Sequence, residues 1–212
     1  MRKAYIQDVK MLDKSIPFHT IIMKSRNLLE VVPSALPEGF SVRCYETGDA
    51  IHWARIQYEV GEFSSVEEAL KCFSYYLENE DELRKRQIYI VDDNTNTPVA
   101  TATAWYSDLD GKEIGVVHAL SCLLSYQALG LGRIAAEYMM ECFHKVMPES
   151  EVWLDTQTWS YKAIGIYLDL GFVPVKTATF NETANEYEKA RNAMKDKMRA
   201  DVYKKFCEEE LY

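Results

Sequence analysis

The chain has 212 residues, 48% of them hydrophobic and 27% charged, which is typical of one soluble globular domain with a sizeable core. Its net charge of −9 argues against nucleic acid or an anionic membrane as a partner, because both require a basic surface. The five cysteines are widely spaced without a CxxC pair, and the four histidines form no cluster with cysteines or acids. We therefore expect free thiols, a cytoplasmic location and no metal site.

The first sixty residues predict two strands and one helix. PFHTIIMKS, residues 17–25, is a candidate for an added strand, and residues 41–45 alternate as a short strand does. Asp49 is of a residue type that caps helices, and the helix that follows it should end near Val60.

The middle of the chain predicts a second helix and three strands. Ser65 and Glu68 have capping-box spacing at the start of a helix that should end near Leu77. The charged run ENEDELRKR, residues 78–86, predicts a solvent-exposed surface. Turn residues then separate the three strands, which are residues 87–93, 99–107 and 114–124. Strands that follow one another so closely indicate antiparallel pairing in this part of the sheet.

The last third alternates helices and strands, which indicates a crossover in a mixed sheet. A helix should end near Val146, a strand covers residues 151–157, a short helix runs from Ser160 to Leu170, and a last strand covers residues 171–177. Apolar residues recur at three- or four-residue spacing in the tail and predict a helix over about residues 183–208. They are Tyr187, Ala190, Met194, Met198, Val202 and Phe206. This face should pack on the sheet or on a second subunit, so a homodimer is one expectation.

Residues 125–140, SYQALGLGRIAAEYMM, place two glycines before a predicted helix and have three interpretations. GLGRIA fits the dinucleotide fingerprint G-x-G-x-x-A, with Asp155 as the ribose-binding acid of an NAD-binding oxidoreductase. Five residues separate the strand from Gly130, however, and too little chain follows Asp155 to complete a doubly wound sheet. Alternatively, the glycines only permit a tight turn from strand to helix.

The third interpretation is a pyrophosphate cradle. QALGLG, residues 127–132, fits the pattern Q/R-x-x-G-x-G/A. In such a loop, successive backbone N–H groups and the helix N-terminus surround the diphosphate, and glycines allow the backbone to approach closely. Arg133 can add a charge-assisted contact, and Gln127 can brace the loop.

A second motif follows in register. Residues 160–172, SYKAIGIYLDLGF, have the spacing N-x-x-A-x-x-x-Y-x-x-x-G-F, with Ser160 where asparagine is frequent. With both motifs, the chain resembles the GNAT superfamily of N-acetyltransferases from about Leu36 to Thr177. LDTQTWSYKAIGIY is similar to a bacterial subgroup of unassigned substrate.

The resemblance implies an α/β (α+β) GNAT-like acyl-CoA N-acyltransferase fold, with a central mixed sheet flanked by helices. The domain would span residues 36–180, between an N-terminal extension at 1–35 and a C-terminal helical extension at 181–212. The implied activity is transfer of the acetyl group of acetyl-CoA, as co-substrate, to a primary amine of a small molecule or peptide. Transfer would be direct, through a tetrahedral intermediate. A non-catalytic acyl-CoA-binding protein of the same fold, for sensing or assembly, is the alternative.

The resemblance also assigns residues to the acyl-CoA site. The strand before the loop would bind the pantetheine arm, and the loop would bind the diphosphate. The implied residues are Leu120, Ser121 and Cys122 in the strand, Gln127, Ala128, Leu129, Gly130, Leu131, Gly132 and Arg133 in the loop, and Ser160 after it. A cysteine beside a thioester suggests an acyl-enzyme. Cys122 is a better match for a small buried residue, because the family transfers directly.

Three residues are candidates for proton transfer. Tyr167 occupies the position that is often the family's general acid, and a phenol can protonate a thiolate at modest cost. His118 is one candidate base, with an ordinary pKa near 6.5 that suits neutral pH. It lies four residues before Cys122, which predicts that both face the same side of the strand. Asp155 is the rival base, and some family members need none.

The acceptor would enter opposite the acyl-CoA. The loop GEFSS, residues 61–65, and the rings of Trp105 and Trp159 are the candidate surroundings. Glu62 is placed to meet a cationic amine, and an aromatic ring can line the slot.

Overall fold

The computed structural model describes residues 12–25, 28, 30–180 and 183–208. In order, the strands are β1 (Thr20–Ser25), β2 (Phe40–Cys44), β3 (Gln87–Asp92), β4 (Thr97–Leu109), β5 (Lys112–Cys122), β6 (Val152–Gln157) and β7 (Phe172–Val175). The helices are α1 (Ala50–Val60), α2 (Val66–Leu77), α3 (Glu80–Arg86), α4 (Leu131–Val146), α5 (Tyr161–Asp169), α6 (Tyr187–Met194) and α7 (Ala200–Glu208). None of the helices in this part of the chain is long and apolar enough to cross a bilayer.

The strands form one mixed sheet in the order β2-β3-β4-β5-β6-β1-β7. Every neighbouring pair is antiparallel except β5 and β6, which are parallel. This confirms the predicted mixed sheet with an antiparallel first part and a later crossover. A single parallel pair is unlike the doubly wound sheet that a dinucleotide-binding oxidoreductase requires, so that interpretation of the glycines fails on topology.

The candidate strand at residues 17–25 is present as β1, inside the sheet. It lies between β6 and β7, where Ile22 is opposite both Asp155 and Val175. Ile21, Ile22 and Met23 are fully buried, so β1 is part of the core. The boundary proposed at residue 35 places β1 in the N-terminal extension. In the structure, however, this strand belongs to the same sheet as the strands of residues 36–180.

Helices cover both faces of the sheet. The strands carry apolar side chains on both faces, because successive residues point in opposite directions. Ala100, Ala102 and Ala104 of β4 join the apolar cluster that contains α4. Trp105, from the same strand, joins the cluster that contains residues of α1 and α2. Side chains of successive strand residues point to opposite faces, so one strand supplies both cores.

The predicted N-terminal cap is present at α2 but not at α1. Ser65 accepts a hydrogen bond from the Glu68 backbone N–H at 3.1 Å, as the capping-box spacing predicts. Asp49 occupies the cap position of α1, but its carboxylate makes no capping bond. It accepts instead from the Arg43 guanidinium and from the Glu46 backbone N–H, at 2.7 Å for the latter, which ties β2 to the start of α1.

The charged run at residues 78–86 forms a solvent-exposed surface as predicted, except that two of its side chains are buried. The run contains α3, whose Leu83 is fully buried and whose Arg86 is nearly so. Leu83 packs into the cluster with α1 and α2. One buried apolar residue is enough to anchor this short helix. A single leucine in so short a segment forms no periodic pattern, so the sequence does not predict its burial.

The tail is two helices where the sequence predicted one. α6 and α7 are separated by the turn at residues 195–199. The apolar face nevertheless packs as its spacing predicts, against the chain's own core and on the same side as α4. Its buried residues are Tyr187, Ala190, Met194, Met198 and Phe206.

Candidate active site

Strands β5 and β6 separate soon after they meet. They pair only at Gly115 with Val152 and at Val116 with Trp153. Beyond this point β6 continues against β1, and β5 continues against β4. The sheet therefore opens along the second half of β5, and the edge of this strand that faces β6 lacks a strand partner.

A β-bulge lies at the opening. Thr101 pairs with Ser121 and Thr103 pairs with His118, so two residues of β5 stand opposite one residue of β4. Ala119, inside the bulge, has a φ of 53°, which is unusual for a residue other than glycine. The extra residue reverses the alternation of side chains beyond it.

The bulge corrects the prediction that His118 and Cys122 share a face. His118 is on the same face as Ser121, because their partners Thr103 and Thr101 are two residues apart on β4. Cys122 therefore faces the other side, where it joins the cluster with α4. The four-residue spacing holds only for a regular strand, and no feature of the sequence marks the inserted residue.

One cavity, which we call the loop cavity, lies between the end of β5, the following loop and α5. Its volume is about 280 Å³. It contains most of the residues predicted for acyl-CoA binding, although Leu129 is about half exposed and does not border it. The lining is Leu120, Ser121, Cys122, Tyr126, Gln127, Ala128, Gly130, Leu131, Gly132, Arg133, Ser160, Lys162, Ala163 and Ile166.

The loop that borders this cavity presents backbone groups. Ala128 and Gly130 have φ values of 66° and 81°, and α4 begins immediately after Gly130 without a side-chain cap. The first N–H groups of a helix have no partner within the helix, and they favour an anion. The Gln127 side-chain amide donates to the Cys122 carbonyl at 3.3 Å and holds the loop against β5. Arg133 is paired with the Asp169 carboxylate at the rim.

Cys122 is buried beside this loop. Burial raises the pKa of its thiol to about 12. A thiol rather than a thiolate is then present at neutral pH, which makes it a poor nucleophile. The environment of Cys122 is therefore that of a small apolar residue.

A second cavity, the acidic cavity, lies on the other side of β5 and has a volume of about 440 Å³. It meets the loop cavity at four shared residues, namely Leu120, Ser121, Ser160 and Ala163. Its wall carries the carboxylates of Glu62 and Asp155 and includes His118 and Tyr167. Among the described residues that line it, none is a lysine or an arginine.

Tyr167 is 6% exposed and borders the acidic cavity. Its ring packs edge-on against Phe172 at 5.9 Å between centroids, while its hydroxyl makes no hydrogen bond to another described residue. Burial, with the charges of Glu62 and Asp155, raises the pKa of the Tyr167 phenol well above its usual value of 10. The hydroxyl therefore stays protonated across the neutral range.

His118 has a lower basicity than its residue type suggests. Its Nδ1 lies 2.9 Å from the Tyr76 hydroxyl, within hydrogen-bond distance. Burial lowers the pKa of His118 to about 4, because the charged imidazolium is poorly solvated there. The imidazole is therefore neutral at physiological pH, and the usual value near 6.5 does not apply.

The pKa values of the two carboxylates in this cavity shift upward, in contrast to that of His118. Desolvation by the surrounding walls raises the pKa of Asp155, which borders the acidic cavity from β6 and remains exposed to solvent on one side. Desolvation also raises the pKa of the exposed Glu62, although a hydrogen bond from Gln157 and the charge of Lys14 partly offset it. Both groups are therefore stronger bases than a fully solvated carboxylate.

The two tryptophans expected near the acceptor do not line the acidic cavity. Trp105 is buried, and its Nε1–H donates to the Tyr75 hydroxyl at 3.2 Å. Trp159 donates to the Ile16 carbonyl at 2.8 Å and packs against Phe18. Phe63 of the GEFSS loop does line the acidic cavity, in agreement with the sequence analysis, which named this loop. The sequence reasoning missed three further rings in the lining, those of Phe18, Trp53 and Tyr76, which come from segments that carry no motif.

Comparison with known proteins agrees with this architecture. A family model described as the acetyltransferase (GNAT) family matches residues 49–172. A GCN5-related N-acetyltransferase from Sphaerobacter thermophilus is 15% identical with a TM-score of 0.57, and the alignment covers 75% of this chain and 49% of that one. An acetyltransferase from the GNAT family of Colwellia psychrerythraea is 9% identical with a TM-score of 0.55, covering 77% and 55%.

A third similar structure is a tandem GNAT protein from the clavulanic acid biosynthesis pathway. It is 16% identical with a TM-score of 0.53, and the alignment covers 82% of this chain and 58% of that one. The chain thus spans about half the length of these solved proteins, and at such identities the likeness concerns the fold. No curated protein matches the chain.

Proposed function

This chain belongs to the acetyltransferase (GNAT) family, and on this premise we propose that it transfers the acetyl group of acetyl-CoA to a primary amine of a small molecule or peptide. The observation that carries the proposal is the meeting of two chemically different cavities where β5 separates from β6. One cavity suits an anionic, amide-containing ligand and the other suits a cation. A group passed between them would cross at Leu120 and Ser121.

The loop cavity fits acetyl-CoA. The uncapped N-terminus of α4 and the Gly130 turn suit the diphosphate. The unpaired edge of β5 at Leu120–Cys122 suits the pantetheine amides, since an edge strand has free N–H and C=O groups. Acetyl-CoA would supply an activated acyl group as its thioester. A backbone N–H of the same edge would then polarise the thioester carbonyl.

The acidic cavity fits an amine. Glu62 and Asp155 attract an ammonium ion, and the described lining offers no lysine or arginine to repel it. The aromatic rings of Trp53 and Tyr76 provide an apolar wall that also favours a cation.

Of the two candidate bases, Asp155 is the one we propose. An amine must lose its proton before it attacks, and a base is most effective when its pKa is near the working pH. Desolvation in the acidic cavity moves the pKa of the still exposed Asp155 toward that range and moves the pKa of His118 away from it, to about 4. His118 would then be a neutral residue of the cavity wall, within hydrogen-bond distance of the Tyr76 hydroxyl.

Tyr167 is the proposed general acid. Its hydroxyl has no competing hydrogen bond among the described residues, and it remains protonated at neutral pH. A raised phenol pKa would by itself weaken an acid. The departing thiolate would be desolvated at the same place, however, and desolvation raises the pKa of its conjugate thiol as well. The proton transfer from Tyr167 therefore stays feasible.

The experiment that tests the proposal has two stages. Thermal unfolding is measured with acetyl-CoA, CoA, NADH and buffer alone. A ligand at a hundred times its dissociation constant adds about 2.7 kcal/mol, which for this size corresponds to a rise of roughly 5 to 11 °C in Tm. We expect the rise with the two CoA compounds and not with NADH.

Release of the CoA thiol is then measured with a panel of primary amines. Turnover with an amine would support the acetyltransferase. Binding of acetyl-CoA without turnover on any amine would leave an acyl-CoA-binding protein in its place. No stabilisation by either CoA compound would refute the acyl-CoA site.

A further inference from the structure

A third cavity, the basic cavity, lies between α5 and the tail. Its volume is about 450 Å³. Its lining contains five cationic side chains and two carboxylates, in a chain whose net charge is −9. The cations are Arg133, Lys162, Lys197, Arg199 and Lys205, and the carboxylates are Asp169 and Asp201. The cavity is therefore a local reversal of the charge of the whole protein.

The basic cavity continues from the loop cavity. Both are lined by Arg133, Lys162 and Ile166. A ligand whose diphosphate lies at the start of α4 therefore has a direct path into the basic cavity for the group beyond the diphosphate.

The pairing of the charged groups leaves an excess of positive charge. Asp169 is shared by Arg133 and Lys205, and Asp201 pairs with Arg199. Lys162 has no ion-pair partner among the described residues. Lys197 pairs with the Asp13 carboxylate at 3.4 Å. Two carboxylates thus face the remaining four cations, and a dianion would complete the balance.

The tail supplies the cations on one wall and is held firmly in place. Lys205 donates to the Leu168 carbonyl at 2.8 Å, at the end of α5. Val202 lies so close to Gly165 that a Cβ there would be 3.4 Å from its side chain. Lys197, Arg199 and Lys205 lie outside residues 49–172, the part that matches the family model. They are a feature of this chain's own tail.

We propose that the basic cavity binds a phosphate monoester at the nucleotide end of the acyl donor, so that the tail makes the protein selective for a donor that carries this group. The inference rests on the proposed function. A phosphate monoester carries a charge of about −1.5 to −2 at pH 7 and offers three acceptor oxygens, which suits several lysine and arginine donors. CoA carries such a group as its 3′-phosphate, and its dephospho form lacks it.

The test compares two ligands by isothermal titration calorimetry. Acetyl-CoA and 3′-dephospho-acetyl-CoA are titrated into the parent chain, the double variant Lys197→Met/Arg199→Met, and the control Lys204→Met. Lys204 lies on α7 near Glu208 and does not border the cavity. We expect the parent to prefer acetyl-CoA by roughly tenfold, and more at low salt.

The double variant should lose this preference and bind the dephospho ligand as the parent does, while the control keeps the preference. Equal affinity of the two ligands for the parent would overturn the inference and leave the proposed function intact. Failure of both ligands to bind would overturn the proposed function itself.

The source of the phosphate is tested separately. Inorganic phosphate is titrated into the parent chain saturated with acetyl-CoA, and we expect no binding. Binding under this condition would show that the basic cavity takes a separate phosphate, and it would overturn the assignment to the acyl donor.

Discussion

The loop cavity and the acidic cavity share four residues of one opening, but they are built from different parts of the polypeptide. The loop cavity presents mainly backbone, from Gly130, the start of α4 and the free edge of β5. The acidic cavity presents side chains from β1, α1, α2, β5, β6 and α5, as well as the loop after α1. A site made of backbone needs glycines at fixed spacing and so leaves a motif, whereas a site made of scattered side chains leaves none.

The two cavities also differ in how they affect ionisation. In the acidic cavity, desolvation raises the pKa values of the exposed Asp155 and Glu62 and of the buried Tyr167, and it lowers the pKa of His118 to about 4. Among the described residues of the loop cavity, the only large pKa change is that of Cys122, whose thiol has a pKa of about 12 and stays protonated at neutral pH. The proposed function assigns proton transfer to the acidic cavity and donor binding to the loop cavity, and four predictions test this division.

The largest effect is expected for Gly132→Val in the loop cavity. The branched valine side chain would occupy the space in which the diphosphate approaches the backbone N–H groups. The affinity for acetyl-CoA should therefore fall by roughly a thousandfold, a loss of about 4 kcal/mol of binding free energy. A Cβ at Gly132 would be 3.7 Å from the Cys122 Cβ, an ordinary contact, so the fold should persist. Gly132→Ala is the matched control and should retain binding by calorimetry. Unchanged affinity in the valine variant would contradict the assignment of the loop.

Tyr167→Phe is expected to reduce kcat by about a hundredfold or more, as loss of a general acid typically does. The phenyl ring keeps the contact with Phe172, so affinity for acetyl-CoA should not change. Steady-state thiol release gives kcat, and calorimetry gives the affinity. If kcat survived in Tyr167→Phe, the general acid would have to be sought elsewhere in the acidic cavity.

His118→Gln is expected to change acid stability rather than activity. The pKa of His118 is about 4 in the folded chain and near 6.5 when unfolded, so the unfolded chain binds the extra proton between these values. Stability therefore falls as pH decreases through this window, by about 3 kcal/mol at pH 4. Urea unfolding at pH 7 and pH 4 should show a smaller loss in His118→Gln. A large fall in kcat at neutral pH would instead return His118 to the role of base.

Asp155→Asn should have the smallest effect, about a tenfold loss of kcat/KM at pH 7. Because desolvation in the cavity raises the pKa of Asp155, the parent should lose activity on acidification at a higher pH than a fully solvated carboxylate would produce. The loss in the variant should shrink toward pH 9, where more of the amine is neutral. Glu62→Gln is the comparison and should raise KM while leaving kcat nearly unchanged. The same pH profile in Asp155→Asn as in the parent would exclude Asp155 as the base.

Much of the fold could be predicted from local pattern. The strands of the middle region, the N-cap at Ser65 and the apolar spacing of the tail all appear where the sequence places them. Prediction from the sequence failed where the contact or burial of a residue depends on a partner from another element. Asp49 prefers Arg43 to the helix backbone, and Leu83 is buried only because α1 and α2 present an apolar surface to it.

By itself, the sequence determined the family, the mixed sheet and the glycine turn that leads into α4, because glycine spacing and side-chain periodicity are local properties of the chain. The tertiary structure decided that β1 lies between β6 and β7, and that the bulge at Ala119 turns His118 away from Cys122. It alone also decided which carboxylates and rings line the acidic cavity and which tail cations line the basic cavity. These outcomes depend on strand pairing and desolvation between residues far apart in sequence, and neither leaves a pattern along the chain.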